Sequence, residues 1–324
     1  MVISIVPVVI PAIVPVMRSI AVMIHVLAAP VTVVTRLDHD GNVRPWVQAA
    51  AAVGATVRWA PFDPATGVLT PDDVASVLSP RTRLVAMTAA SNLLGSRPDI
   101  ATVAATAHAL GALVYVDGVH YTPHAFVDID AMGADFYVCS PYKFLGPHLG
   151  MLAAAPALLE ELRPDKLLPA SDVVPERFEL GTLPYESLAG TTAAIDFLAD
   201  LVSGAGDRRA RLAASFEALE QHESVLLSQL DNGLATLPAV TRFGAPDRVR
   251  TPTALFTIEG VAPAEVYRGL AERGVNAPAG TFYAYECARV LGISEVGAVR
   301  AGIAPYTDKS DVDRLLEAVE DIAP

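Results

Sequence analysis

"ALVYVDGVHYTPHAFVDIDAMGADFYVCSPYKFLG" (residues 112–146) decides how the chain is read. It opens on an apolar run, Ala112 to Val116, that halts at Asp117. A continuous run of β-branched and aromatic residues is what a strand buried on both faces requires. "DIDAMGA" (128–134) then reads as a short helix, and "DFYVCS" (135–140) as a second strand. Strand, crossover and strand make the unit of a parallel sheet. Just past the second strand stands Lys143, one of only three lysines in the chain, with Lys166 and Lys309.

The same alternation extends to both sides. "VTVVT" (31–35), "ATVRWAPF" (55–62), "TRLVAMTAAS" (82–91) and "GMLAAAP" (150–156) read as strands. "VRPWVQAAAAVG" (43–54), "TPDDVASVLS" (70–79) and "DIATVAATAHALG" (99–111) read as helices, the second with Thr70 as N-cap and Pro71 at N1. Residues 208–237 predict a long connecting helix. "PTALFTIEG" (252–260), "PAEVYRGLAERG" (263–274), "GAVRAGIA" (297–304) and residues 308–322 read as a smaller α+β unit. The expectation is an α/β chain with a mostly parallel sheet, divided as residues 1–30, 31–205 and 206–324.

Composition narrows the function. The formal net charge is −13, and no basic stripe with interleaved aromatics occurs, which argues against nucleic acid. Two cysteines, Cys139 and Cys287, make neither a disulfide framework nor a CxxC metal motif. A reducing, cytoplasmic compartment fits. In residues 1–30 Arg18 is the only fully charged side chain, and Pro7, Pro11 and Pro15 recur every four residues. Proline at that spacing disrupts a helix, and no basic n-region precedes it. A poorly structured or substituted segment is expected there rather than a membrane span.

Four polar clusters fall at predicted strand ends: "LDHDGN" (37–42), "SNLLG" (91–95), "DGVHY" (117–121) and "SPYKFLGPH" (140–148). In a parallel sheet, ligands bind at the carboxyl ends of the strands. Taken singly, Asp117 reads as a turn aspartate and Lys143 as a solvated loop lysine. Together they acquire a chemical meaning. A desolvated lysine amine attacks a carbonyl to form a Schiff base. A carboxylate one strand away keeps a pyridinium nitrogen protonated. That pair is the minimal machinery of pyridoxal 5'-phosphate (PLP) chemistry.

"RLDHDGNVRPW", "TAASNLLG", "VYVDGVHYTPH", "CSPYKFLGPHLG", "RFELGT" and "VRAGIAPYT" occur in that order. From Val31 to Ile322 the chain resembles class V aminotransferase-type PLP enzymes, on their cysteine desulfurase-like branch. The resemblance implies the PLP-dependent aspartate-aminotransferase-like fold, with a large PLP-binding domain and a small C-terminal α+β domain. It implies a PLP-dependent transferase or lyase acting on the α-amino group of a small amino acid. Lys143 would form the Schiff base, Asp117 would pair with the pyridine nitrogen, and His39 would stack on the ring. His120 would sit near the phenolic oxygen and Ser140 would bind the phosphate. Thr182 would reach the phosphate of a neighbouring subunit, which implies a homodimer. Arg300 would clamp the substrate carboxylate beside Asn92, and no metal is implied.

Two features depart from the family pattern. The loop Ala277 to Thr281, where a desulfurase needs a nucleophilic thiol, has no cysteine. Cys287 falls in the following helix, with a packing role. Residues 1–30 also lack the hydroxyl-bearing turn at a helix N-terminus that would hold the phosphate, which points to an atypical or truncated N-terminus. Two alternatives stay open: an inactive fragment or pseudoenzyme lacking that phosphate cup, and a membrane-tethered binding protein using residues 1–30.

Overall fold

The computed structural model describes residues 6–9, 30–179 and 181–324. Two sheets organise them. The larger contains β1 (Val6–Val9), β2 (Val31–Thr35), β3 (Thr56–Ala60), β4 (Thr82–Thr88), β5 (Leu113–Asp117), β6 (Phe136–Cys139) and β7 (Met151–Ala154). Their order across the sheet is β1-β7-β6-β5-β4-β2-β3. Strands β2 to β6 pair in parallel, and β7 runs antiparallel to both its neighbours. The smaller sheet contains β8 (Val240–Phe243), β9 (Thr253–Ile258), β10 (Ala279–Gly280) and β11 (Ala298–Gly302). It is antiparallel throughout, in the order β10-β11-β9-β8. This is the α/β architecture expected from the sequence.

The helices are α1 (Arg44–Ala52), α2 (Pro71–Ala75), α3 (Ile100–His108), α4 (Ile129–Met132), α5 (Pro156–Glu161), α6 (Tyr185–Ala199) and α7 (Arg208–Ala235). Beyond them come α8 (Pro263–Glu272), α9 (Tyr285–Val290) and α10 (Lys309–Ile322). Successive residues of a strand face opposite sides of a sheet, and each central strand feeds two cores accordingly. Val33, Val85, Val114 and Val116 pack in one cluster with Val103 and Ala107 of α3. Val34, Ala86, Tyr115 and Phe136 pack on the other face with Trp46 of α1. Trp46 meets Tyr115 edge-on at 4.9 Å, an arrangement aromatic pairs favour. A third cluster joins α7, α8 and α10 to the small sheet through Leu230, Phe256, Val266 and Val319.

Two expectations need correction. The helix predicted for residues 70–79 starts as read, with Thr70 and Asp73 forming a reciprocal capping box, but it ends at Ala75. From there the backbone bonds tighten, Val77 N–H to Val74 and Leu78 N–H to Ala75, ahead of Pro80, which disfavours helix in the residue before it. Within the segment expected to be poorly structured, Val6–Val9 forms the outermost strand, with Pro7 opposite Ala153. An edge is where a strand tolerates a missing N–H donor. The other expectations for residues 1–30 lie outside the described residues. No helix among the described residues is long and apolar enough to cross a membrane.

The topology positions the site. From β2 the chain moves outward to β3, then returns to place β4 on the other side of β2 and continues through β5 and β6. Ligand crevices form at such reversals. The four strands whose ends carry the polar clusters, β2, β4, β5 and β6, are consecutive neighbours with a common direction.

Candidate active site

The turn after β2 is anchored from inside the protein. Asp38 is completely buried. It accepts hydrogen bonds from Asn42 Nδ2 at 2.6 Å and from the Thr35 hydroxyl, and Asn42 Oδ1 accepts from Trp46 Nε1 at 3.1 Å. Burial outweighs those two donors and pushes the Asp38 carboxyl up to about 8, with the charge of Asp117 adding to the rise. The next residue, His39, accepts from Gly41 N–H on Nδ1 at 2.9 Å. Its proton is therefore left on Nε2 in the neutral form. Burial lowers the His39 pKa and favours that form. A side chain at residue 41 would put Cβ 2.9 Å from Nδ1, so glycine is needed there.

His39 lines a cavity of about 570 Å³ together with Asn92, Asp117, His120, Ser140, Lys143 and Arg300. Seven of the eight expected site residues thus meet on one wall system. Asp117 ends β5, and its Oδ1 accepts from Val119 N–H at 2.9 Å. No ion pair is made by Asp117 among the described residues. Removal from water raises its pKa against the pull of His39 and Lys143. Lys143 sits in a 3-10 turn, Pro141–Phe144, whose Pro141 and Phe144 are buried. The lysine itself is exposed, which corrects the expectation of a desolvated amine. The turn buries its apolar members and turns Lys143 outward, over the ring of Tyr142 at 5.0 Å. Tyr142 in turn stacks on His148, with ring centroids 4.9 Å apart.

Arg300 enters from β11 of the small sheet. Its Nη1 donates to the Asn92 carbonyl at 2.7 Å, and its guanidinium lies 4.0 Å from the centre of the Phe282 ring. No acidic partner pairs with Arg300 among the described residues, and burial lowers its pKa. Two cations without acids among the described residues, Arg300 and Lys143, therefore share a cavity with one partly buried carboxyl, Asp117. Such a site favours an anionic ligand.

Sequence reasoning missed the loop that closes this cavity. Phe282 and Tyr283 adopt left-handed backbone conformations in succession, φ 52° and 60°. For bulky residues this costs on the order of 1–3 kcal/mol each and persists only where the surroundings dictate it. Here they do. Asn92 Nδ2 donates to the Phe282 carbonyl at 2.8 Å, and Asp40 N–H to the Tyr283 carbonyl at 2.7 Å. The Tyr283 ring lies 5.6 Å from that of His39. Immediately after the loop, the buried Glu286 of α9 receives Arg36 at 2.9 Å and Arg44 at 3.3 Å.

His120 was expected from sequence, but its partners were not. Its Nε2 lies 3.0 Å from Thr251 Oγ1 and 3.1 Å from Thr253 Oγ1, and burial holds its pKa well below the usual histidine range. Tyr115, two residues before Asp117 on the same side of β5, also reaches the cavity wall. Ser140 lies on the wall with no side-chain capping bond. Thr182 is exposed and does not line the cavity of its own chain. Cys287 is fully buried in α9, as expected, and burial pushes its thiol up. Burial likewise holds Cys139 at about 12. Neither supplies a thiolate at neutral pH.

The sequence profile of the class-V aminotransferases matches residues 17–315. The chain belongs to the class-V aminotransferase family. It is 33% identical to the aminotransferase-like protein FGM3 of Gibberella zeae, over 94% of this chain and 75% of that protein. It is 30% identical to a probable cysteine desulfurase of Halalkalibacterium halodurans, over 89% of this chain and 70% of that protein. Its fold superposes on the crystal structure of the cysteine desulfurase CsdA of Escherichia coli with a TM-score of 0.84 and 28% identity, covering 97% and 78% of the two chains.

Class-V aminotransferases are PLP-dependent, and the residues present can be tested against that cofactor. Three buried polar atoms lack a partner among the described residues, and two of them, Asn92 Oδ1 and Tyr115 OH, belong to residues of this cavity wall. Buried polar atoms are rarely left so, and a polar ligand would answer them. Asp117 matches a ring nitrogen, Lys143 a carbonyl carbon, and Arg300 a carboxylate. At the phosphate end the wall offers the Ser140 hydroxyl. The donor set fits PLP at its ring end and at the substrate end.

Proposed function

We propose that this class-V aminotransferase is a PLP-dependent transferase or lyase acting on the α-amino group of a free amino acid, with Lys143 as the point of covalent attachment. The observation that carries the reading is the convergence of Lys143, Asp117, His39, His120 and Arg300 on one cavity. Bound PLP supplies the electron sink for breaking a bond at the substrate α-carbon. Asp117 would hold the ring-nitrogen proton. Burial raises its pKa against the pull of His39 and Lys143, and a pyridinium beside it would favour the ionised form. His120, kept neutral, would hydrogen-bond the phenolic oxygen, and His39 would cover the ring. Arg300 spends only Nη1 on Asn92, so its remaining donors are free to grip a carboxylate in a fork. The amine of Lys143, once released, would carry a proton to or from the α-carbon. Ser140 would bind the phosphate, and Thr182 of a second subunit would complete that contact in a homodimer.

The absence of a reactive thiol supports chemistry without a protein persulfide. The competing reading, a chain that keeps the fold without holding the cofactor, is separated by one experiment. Purified protein incubated with PLP is expected to develop visible absorbance that is lost in Lys143→Ala, with a borohydride-trapped adduct on Lys143. No absorbance and no adduct would sink the enzyme reading.

A further inference from the structure

The cavity has more to say about its substrate than that it carries an amine and a carboxylate. Its acidic, basic and imidazole lining groups are His39, Asp117, His120, Lys143 and Arg300, burial favouring the neutral form of the two histidines. On the reading above, each has a task at the cofactor or at the α-carboxylate. No other charged residue lines the cavity among the described residues. An acidic substrate side chain would therefore find no unassigned cation in this wall among the described residues.

Part of the wall left for that side chain is aromatic. Phe282 and Tyr283 line the cavity beside Arg300 and His39. Tyr283 is 77% exposed, a large apolar surface at the rim. Its place there is not an accident of a loose loop. Two successive left-handed residues are held by Asn92, Asp40 and the Arg300–Phe282 stack. The clamp joins the rim to the residues expected to grip the carboxylate. Strain maintained in this way at a site is a mark of pre-organisation.

We infer that the substrate is an amino acid with an uncharged, apolar or aromatic side chain, and that Phe282 and Tyr283 form the wall that selects it. This rests on the PLP reading. Atoms of an aromatic substrate would meet aromatic carbon, an interaction that adds to the area buried. The same wall gives nothing to the carboxylate side chain of aspartate or glutamate.

The test uses the full chain loaded with PLP and follows the cofactor absorbance as single L-amino acids are titrated in. Phenylalanine and leucine are expected to perturb the spectrum at concentrations roughly tenfold or more below those needed for aspartate or glutamate. Tyr283→Ala is expected to weaken phenylalanine by about tenfold while alanine changes less than about twofold. Because Tyr283 is exposed, the thermal midpoint should hold. Aspartate or glutamate binding as well as phenylalanine, or an unchanged phenylalanine-to-alanine ratio in Tyr283→Ala, would overturn the inference and leave the PLP reading standing. A second measurement needs no cofactor. In the PLP-free chain 3-phenylpropanoate should raise the thermal midpoint through Arg300 and the aromatic wall, and succinate should not. Equal effects of the two, or none from either, count against the inference. Loss of Lys143-dependent absorbance with the 3-phenylpropanoate effect intact counts against the PLP reading alone.

Discussion

Replacing Asp38 by Asn should make the protein less sensitive to alkaline pH. In the fold the Asp38 carboxyl has its pKa raised from 3.8 to about 8, while in the unfolded chain it returns to the ordinary value. Folding then takes up a proton between those limits. The stability this provides is complete below pH 3.8 and is lost as pH rises through 8. At ~1.4 kcal/mol per pH unit the whole span is on the order of 6 kcal/mol. Much of it overlaps the titration of His39 and His120 below pH 6.5, so the clean interval is pH 6.5 to 8, worth about 1.5 kcal/mol after allowing for half-titration at the upper end. Asn at this position keeps an oxygen for Asn42 Nδ2 and turns an amide toward the Thr35 hydroxyl, copying the protonated acid. Urea unfolding at both pH values is the assay. The parent should lose about 1.5 kcal/mol more than Asp38→Asn across the interval. Equal losses would show that the buried carboxyl is not the proton acceptor and would refute the reasoning.

Gly118 lies against Tyr137, and a Cβ there would come within 2.0 Å of the ring. Gly118→Ala should lower the unfolding free energy by ~2–3 kcal/mol, the scale of overpacking, seen as a reduced urea midpoint; an unchanged midpoint would contradict the packing described. The His120 pKa is well below its ordinary value because of burial, so the fold resists protonating it. That stability is present above about pH 6.5 and drains away as pH falls below it. His120→Gln should flatten the loss between pH 6.5 and 5 in the same urea assay, and a slope identical to the parent would remove His120 from the account.

Much of the site was legible in residues 31–150 because strand ends carry their own labels. Apolar runs stop at Thr35, Thr88, Asp117 and Cys139, and polar clusters follow each stop. Adjacency of the four strands then brings the clusters together without further information. Long-range detail was not legible. Thr251 and Thr253 meet His120 across more than 130 residues, and nothing local marks them. The left-handed Phe282 and Tyr283 have no signature, since aromatic residues normally avoid that region. The direction of β7 is hidden because an apolar strand reads alike either way. The exposure of Lys143 followed from which members of its turn were buried, a matter of packing rather than pattern. β10, of two residues, is too short for periodicity to register.

The three arginines around Glu286 bear on how the molecule could breathe. Arg36 and Arg44 come from the segment after β2, and Arg289 from α9 itself. Cys287 and Ala288 of the same helix belong to the core of the large sheet. Residues 282–290 therefore travel with the large sheet although they lie within the C-terminal third of the chain. Arg300 rides on a strand of the small one. Arg300 and Phe282, stacked at 4.0 Å, thus come from segments that belong to different sheets. That stack, with the Arg300–Asn92 hydrogen bond, is a staple across the seam between the sheets, and a ligand touching both sides would add a second.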